Sequence, residues 1–167
     1  YEFPLYLFHS GKNYKSYEFF GCHKMYGDTF VFRVWAPHAA AVSVSGDFNH
    51  LDEDANRMTE ISAGIWEAVI DGVMQYDCYK YAITTKSGSV IMKADPYAFH
   101  AETRPSTASK VYHSEPYKWT DKKWYDKTKN SNILEKPVNI YEIHFGSWKQ
   151  HDSRQQSTRK YAYSRRR

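Results

Sequence analysis

Few residues in this chain have the types and spacing that catalysis would need. Asp52, Glu53 and Asp54 form a run of carboxylates, and a pair of carboxyl groups held in different environments can divide into an acid and a base. The run follows Gly46-Asp-Phe-Asn49, whose small and polar residues favour a turn, so it is expected to be a solvated loop. Glu142 and His144 stand two apart in Val138–Phe145, which puts them on one face of a strand. A single strand makes no pocket around them. Cys22 and Cys78 form no CxxC pair and have no run of histidines to complete a zinc site. Free thiols in a reducing compartment are expected, with a disulfide between them left open. On these grounds we assign no catalytic residue, no metal ligand and no cofactor.

The aromatic residues offer binding chemistry instead. They make up 17% of the chain, with 15 Tyr, 9 Phe and 5 Trp. An aromatic face covers the C–H face of a pyranose while Tyr and Trp keep a polar tip. The same residues also suit the half-buried surface of twisted strands, and for most of them the core is the expected place. Trp35 and Trp66 are both assigned to the core.

The formal charge of +4 is concentrated in one stretch. Residues 150–167 carry Arg154, Arg159, Lys160, Arg165, Arg166 and Arg167 against Asp152, which leaves the remaining chain at −1. A near-neutral body offers no broad face for phosphates, so no nucleic acid partner is expected. Without a long apolar run or a basic, apolar leader, no membrane partner is expected either, and the chain reads as soluble and cytoplasmic.

The elements that must position any site are strands. Phe30–Trp35 alternates, with Phe30, Phe32 and Val34 on one face and Val31, Arg33 and Trp35 on the other, and stops at Ala36-Pro37. Further alternating runs occur at Ala41–Ser45, Ile65–Ile70, Cys78–Thr84, Val90–Ala94 and Ser109–Tyr112. Asp71-Gly72, Ser87-Gly88 and Asp95-Pro96 supply turns between them. Short strands at such intervals predict a mainly β chain, a β-sandwich, and no helix of useful length precedes residue 117. We divide the chain into an extension over 1–24, the sandwich over 25–114, a lysine-rich linker over 115–137 with a helical turn or two, a lone strand over 138–149 and a basic, disordered tail over 150–167.

Four segments together resemble the 1,4-α-glucan branching enzymes: Tyr6–Gly21, Phe32–Ala39 with Val42–Asn49, Lys93–Phe99 with Arg104–Ser109, and Ile140–Trp148. Their order and intervals carry the resemblance as much as their residues do. It implies a starch-binding-type carbohydrate module with an immunoglobulin-like β-sandwich, followed by the first strand of an α-amylase-type (β/α)₈ barrel. Enzymes of this family move α-1,4-linked glucan segments onto 6-hydroxyls by retaining chemistry with two carboxyl groups. The family's catalytic Asp, Glu and Asp belong to later barrel strands, so this chain alone is expected to be inactive. Its expected partners are an α-glucan and the rest of that barrel.

The same resemblance suggests binding residues. Lys80, in Tyr79-Lys-Tyr81, stands where related modules use a lysine against sugar hydroxyls; its plain reading is a solvated lysine on a polar strand face. Asn49 either donates to a hydroxyl or closes its own turn. Thr107 and Ser109 either line the groove or are ordinary strand-edge hydroxyls. Leu51 takes the place where binding-competent relatives carry a Trp. If a sugar covers roughly 60–80 Å² of an indole, that contact contributes about 1.5–2 kcal/mol, and Leu51 would keep about half of it.

The tail after Lys149 lacks the apolar periodicity of a continuing barrel. A frameshift or premature end in the reading frame is our expectation for it. Two rival readings of the whole are a stand-alone glucan-binding adaptor and an immunoglobulin-like interaction module without a carbohydrate role.

Overall fold

The computed structural model describes residues 2–115, 117–129 and 131–144. The chain divides into a unit over residues 1–116 and a second over residues 117–167.

The first unit is a two-sheet antiparallel sandwich, as its alternating segments predict. Its nine strands are β1 (Gly21–Tyr26), β2 (Thr29–Trp35), β3 (Ala39–Gly46), β4 (Thr59–Ser62), β5 (Ile65–Ile70), β6 (Cys78–Thr85), β7 (Val90–Lys93), β8 (His100–Ala101) and β9 (Ser109–Lys110). The first sheet has the order β1-β2-β5-β4; the second runs β3-β6-β9-β8, with β7 also paired to β6. Cys78 and Tyr79 of β6 pair with β9, while Tyr81–Thr84 pair with β7, so two short strands share one edge of β6.

Phe30, Phe32 and Val34 from β2, Trp66 and Ile70 from β5, Val42 and Val44 from β3, and Tyr79 and Tyr81 from β6 fill the space between the sheets. Burying such side chains contributes about 1.5–3 kcal/mol each. Inside this core Asp95 is buried, and its Oδ2 accepts from the hydroxyls of Tyr79 (2.6 Å) and Tyr81 (3.2 Å), so the tyrosines bring apolar bulk without orphaned polar ends.

The other face of the first sheet is covered as well. Phe19, Phe20 and Ile65 form a second buried cluster, with Leu5, Phe8, Ile61 and Tyr97 packed against it. Phe8 and Leu5 reach it from an unexpected helix, α1 (Glu2–His9). Eight residues are too few for a helix to hold by itself in water, and this one is held by tertiary packing. Arg33 projects on this face too. Its guanidinium is buried, meets Glu67 Oε2 at 2.6 Å, donates to Phe19 O at 3.2 Å and lies 4.5 Å from the centre of the Phe19 ring.

Several expectations need correcting. The sheet begins at Gly21, inside the segment read as an extension, because β1 pairs along β2 from Gly21 opposite Arg33. Trp66 is in the core, but Trp35 is 52% exposed. The alternation of β2 turns Trp35 away from Phe32 and Val34, and its ring meets Phe8 of α1 edge-on at 5.5 Å. Val138–His144 form no strand, and residues 145–149 of that segment lie outside the described residues. The basic tail lies outside the described residues. In the second unit, α2 (Lys122–Lys129) supplies the helical turns expected of the linker, followed by a single 3₁₀ turn at Ile133–Glu135.

Candidate functional site

With one face of the first sheet capped, the outer face of the second becomes the place to look for a ligand. Register decides which residues reach it. Tyr79 and Tyr81 point into the core, so Cys78, Lys80, Ala82 and Thr84 point outward. Ser45 faces Lys80 across β3 and β6, and Met92 and Val90 face Ala82 and Thr84 across β6 and β7. Exposed apolar Met92 and Val90 therefore share a face with Lys80. Sequence reading did not single them out. The signal was present in the even spacing of Val90 and Met92, but only the β6–β7 register says which face they take.

Lys80 is half-buried and its Nζ donates to Thr107 Oγ1 at 2.8 Å. This bond brings two predicted site residues together. A lysine ammonium has three donors, and the bond to Thr107 uses one of them.

Leu51 arrives on a loop built for a fixed shape. After β3, Asp47–Asn49 form one 3₁₀ turn, and Asp47 Oδ2 accepts from Cys78 N at 2.7 Å, tying the turn to β6. Leu51 N returns to Gly46 O at 2.9 Å. His50 and Leu51 both have positive φ, 56° and 62°, an arrangement disfavoured for residues with a Cβ. The loop nevertheless holds Leu51 62% exposed. Gly46 is required by close approach: a Cβ there would lie 2.8 Å from the carbonyl oxygen of Cys78.

Asn49 is occupied by this loop. Its Oδ1 accepts from Gly46 N at 2.8 Å, and its Nδ2 donates to Val44 O at 2.7 Å and to Asn56 Oδ1 at 2.6 Å. Of the two roles foreseen for it, the geometry supports closing the turn. Ser109 departs further from expectation. It pairs with Tyr79, the inward parity, is 1% exposed, and its Oγ accepts from Asp95 N at 2.8 Å. A hydroxyl facing the core cannot line an outer groove, and Ser109 leaves the candidate site.

The carboxylate run behaves as a loop. Asp52 Oδ1 accepts from Asp54 N at 2.8 Å, Arg57 meets Asp54 at 3.0 Å, and all three acidic residues are exposed. Among the described residues no three His, Cys, Asp or Glu converge as metal ligands. Cys22 and Cys78 are free thiols. Burial, with the Asp95 charge adding to it, pushes the Cys22 thiol well above its ordinary range; burial also raises Cys78. Neither is poised as a nucleophile.

The arrangement is a partly apolar sheet face, with exposed Met92 and Val90 and one lysine bonded to Thr107. Comparison with known proteins shows the family. Residues 19–98 match the family Carbohydrate-binding module 48 (isoamylase N-terminal domain). The chain is 47% identical over 151 residues to the 1,4-alpha-glucan branching enzyme of Bacillus subtilis (strain 168), covering 88% of this chain and 24% of that protein. Its identity to the enzyme of the same name from Bacillus cereus (strain B4264) is also 47%, over 85% of this chain and 23% of the relative. The chain thus spans about a quarter of the length of these curated relatives. A crystal structure of pullulanase type I from Bacillus subtilis str. 168, complexed with maltose, superposes with a TM-score of 0.50 at 23% identity, covering 60% of this chain and 14% of the other, a likeness of fold. The sandwich belongs to the carbohydrate-binding module 48 family, in the form found in the N-terminal region of 1,4-alpha-glucan branching enzymes.

Proposed function

We propose that the outer face of β6 and β7, with Lys80, Thr107 and Leu51 as its contact residues and Met92 and Val90 as its apolar floor, binds α-1,4-linked glucan. The observation that carries this reading is the Lys80–Thr107 bond, which fixes a cation on the same face of the sheet as exposed Met92 and Val90. Carbohydrate is the class of ligand that the family implies; α-glucan is the member of that class to which the branching-enzyme relatives point. In the whole protein we read the activity as transfer of α-1,4-glucan segments to 6-hydroxyls in the cytoplasm. The module's task is to hold the polymer near a catalytic barrel. Among the described residues no helix is long and apolar enough to cross a membrane.

Leu51 in place of an indole makes the contact weak. Titration with maltoheptaose tests the face directly. Lys80→Ala should lower affinity several-fold, and Leu51→Trp should raise it about three- to five-fold, the gain expected from roughly 30–40 Å² of additional apolar contact. Unchanged affinity in both variants would remove the face from consideration.

A further inference from the structure

Beyond Lys80, the same outer face ends in three rings that no core requires. Tyr76 and Tyr112 lie 6.0 Å apart between ring centres, Tyr76 and His100 5.7 Å, and His100 and Tyr112 5.8 Å. Strand parity puts His100 and Tyr112 on the outward side, and Tyr76, in a turn, joins them through its ring contacts. Val111 is in the core and Tyr112 follows it; His100 and Cys78 both stand opposite Lys110; Tyr76 is two positions before Cys78. The rings therefore continue the face that carries Lys80, on the other side of the Cys78–Lys110 pair.

The backbone beneath Tyr76 is fastened in a way that packing does not explain. Tyr76 has φ 76°, costly for an aromatic residue, yet its side chain is 53% exposed. Bonds on both sides hold it there. Tyr76 N donates to Val111 O at 2.8 Å, Val111 N donates to Asp77 O at 2.9 Å, and Asp77 Oδ2 accepts from Met74 N at 2.8 Å. Gln75 closes the turn with a reciprocal pair, its Nε2 donating to His113 O at 3.1 Å and its Oε1 accepting from His113 N at 3.0 Å. A strained turn secured this thoroughly, and bearing an exposed ring, points to an occupant on that ring.

From this geometry we infer that Tyr76, His100 and Tyr112 form a second carbohydrate-stacking platform, which takes sugar units of an α-glucan chain beyond the Cys78–Lys110 pair from Lys80. Ring faces cover the apolar side of a pyranose, while the tyrosine hydroxyls and the imidazole offer hydrogen bonds to its hydroxyl rim. A polymer differs from a short sugar in that two weak platforms on one surface can share it, each raising the local concentration for the other. The choice of sugar as occupant rests on the carbohydrate reading above; the platform itself does not depend on Lys80.

Two measurements on the full chain test it. In the first, maltoheptaose is titrated against Tyr76→Asn and Tyr112→Ser; asparagine tolerates the left-handed backbone and so removes the ring without remaking the turn. Each variant should bind about three- to ten-fold more weakly, the loss expected for one aromatic contact, while Tyr76→Phe and Tyr112→Phe keep most of the affinity. In the second, diethylpyrocarbonate modification of His100 in the unaltered protein is followed by mass spectrometry, and saturating maltoheptaose should slow it at least about three-fold. Both effects should persist in the Lys80→Ala background. An effect of the rings with none from Lys80 would reject the Lys80 site and leave the platform standing. Unchanged affinity in the folded tyrosine variants, or a His100 modification rate indifferent to maltoheptaose, overturns the platform.

Discussion

The Tyr79 hydroxyl donates to Asp95 Oδ2 at 2.6 Å in the buried space between the sheets, and the adjacent Tyr81 hydroxyl reaches the same oxygen at 3.2 Å. Asp95 Oδ1 accepts from Tyr97 N at 2.8 Å, so the residue joins the core of the sandwich to the segment that follows β7. Asp95→Ala would leave both tyrosine hydroxyls without this acceptor, at a cost of about 2–4 kcal/mol. Urea unfolding of the purified variant should show it as a lower midpoint with an unchanged slope. A midpoint within experimental scatter of the parent's would mean that the tyrosines find other partners.

Asp95 also imposes a pH dependence. Burial raises its carboxyl above the ordinary value of 3.8, although the hydrogen bonds from Tyr79, Tyr97 and Tyr81 pull the other way. The folded state therefore holds this proton more tightly than the unfolded chain does. The stability from this group is fully present below pH 3.8 and is lost as pH rises through its raised folded value. Other carboxylates titrate in the same region, so the informative quantity is a difference. Stability of the parent minus that of Asp95→Asn should fall from pH 3.5 towards neutrality; a flat or rising difference would contradict the assignment.

The Arg33–Glu67 pair makes the outer cluster sensitive to charge. Their side chains are only 8% and 15% exposed, and Arg33 also holds the carbonyl of Phe19. Glu67→Ala should cost about 3–5 kcal/mol, because it takes the carboxylate from beside a buried guanidinium. A loss below about 1 kcal/mol would place the pair among ordinary surface bridges. Thermal unfolding followed by near-ultraviolet circular dichroism would read this out.

The thiols should differ sharply in access. Cys22 is 6% exposed and its thiol is held protonated; Cys78 is half-buried on the open face. With Ellman's reagent at pH 8, Cys78 should react slowly in the folded protein and Cys22 only on unfolding. Equal native rates would show that β1 opens readily from β2.

Alternation revealed the sandwich but could not choose its inner faces. Val31, Arg33 and Trp35 alternate as cleanly as Phe30, Phe32 and Val34, and both sets meet apolar neighbours, because α1 and Phe19–Phe20 roof one side of β2. Trp35 was misplaced for that reason. β1 escaped notice because its burial fades along its length, from Gly21 and Cys22 to exposed Lys24, Met25 and Tyr26. The candidate site was legible where residue type carried it, as for Lys80 and Leu51. It was illegible where parity in a two-residue strand decided the outcome, as for Ser109 opposite Tyr79. The Met92 strip and the Tyr76 ring cluster depend on the register of β7 and β9 against β6, which no local pattern encodes.

The roof over the first sheet has an evolutionary consequence. With that sheet partly roofed on its outer side, the outer side of the second can diversify while contributing little to the interior packing: Leu51, Met92 and Tyr76 are all at least 37% exposed. Changes there can retune which polymer is gripped, and how firmly, at small cost to folding. A lineage could thus shed an indole at position 51 and compensate with rings elsewhere on the surface, keeping the scaffold intact throughout.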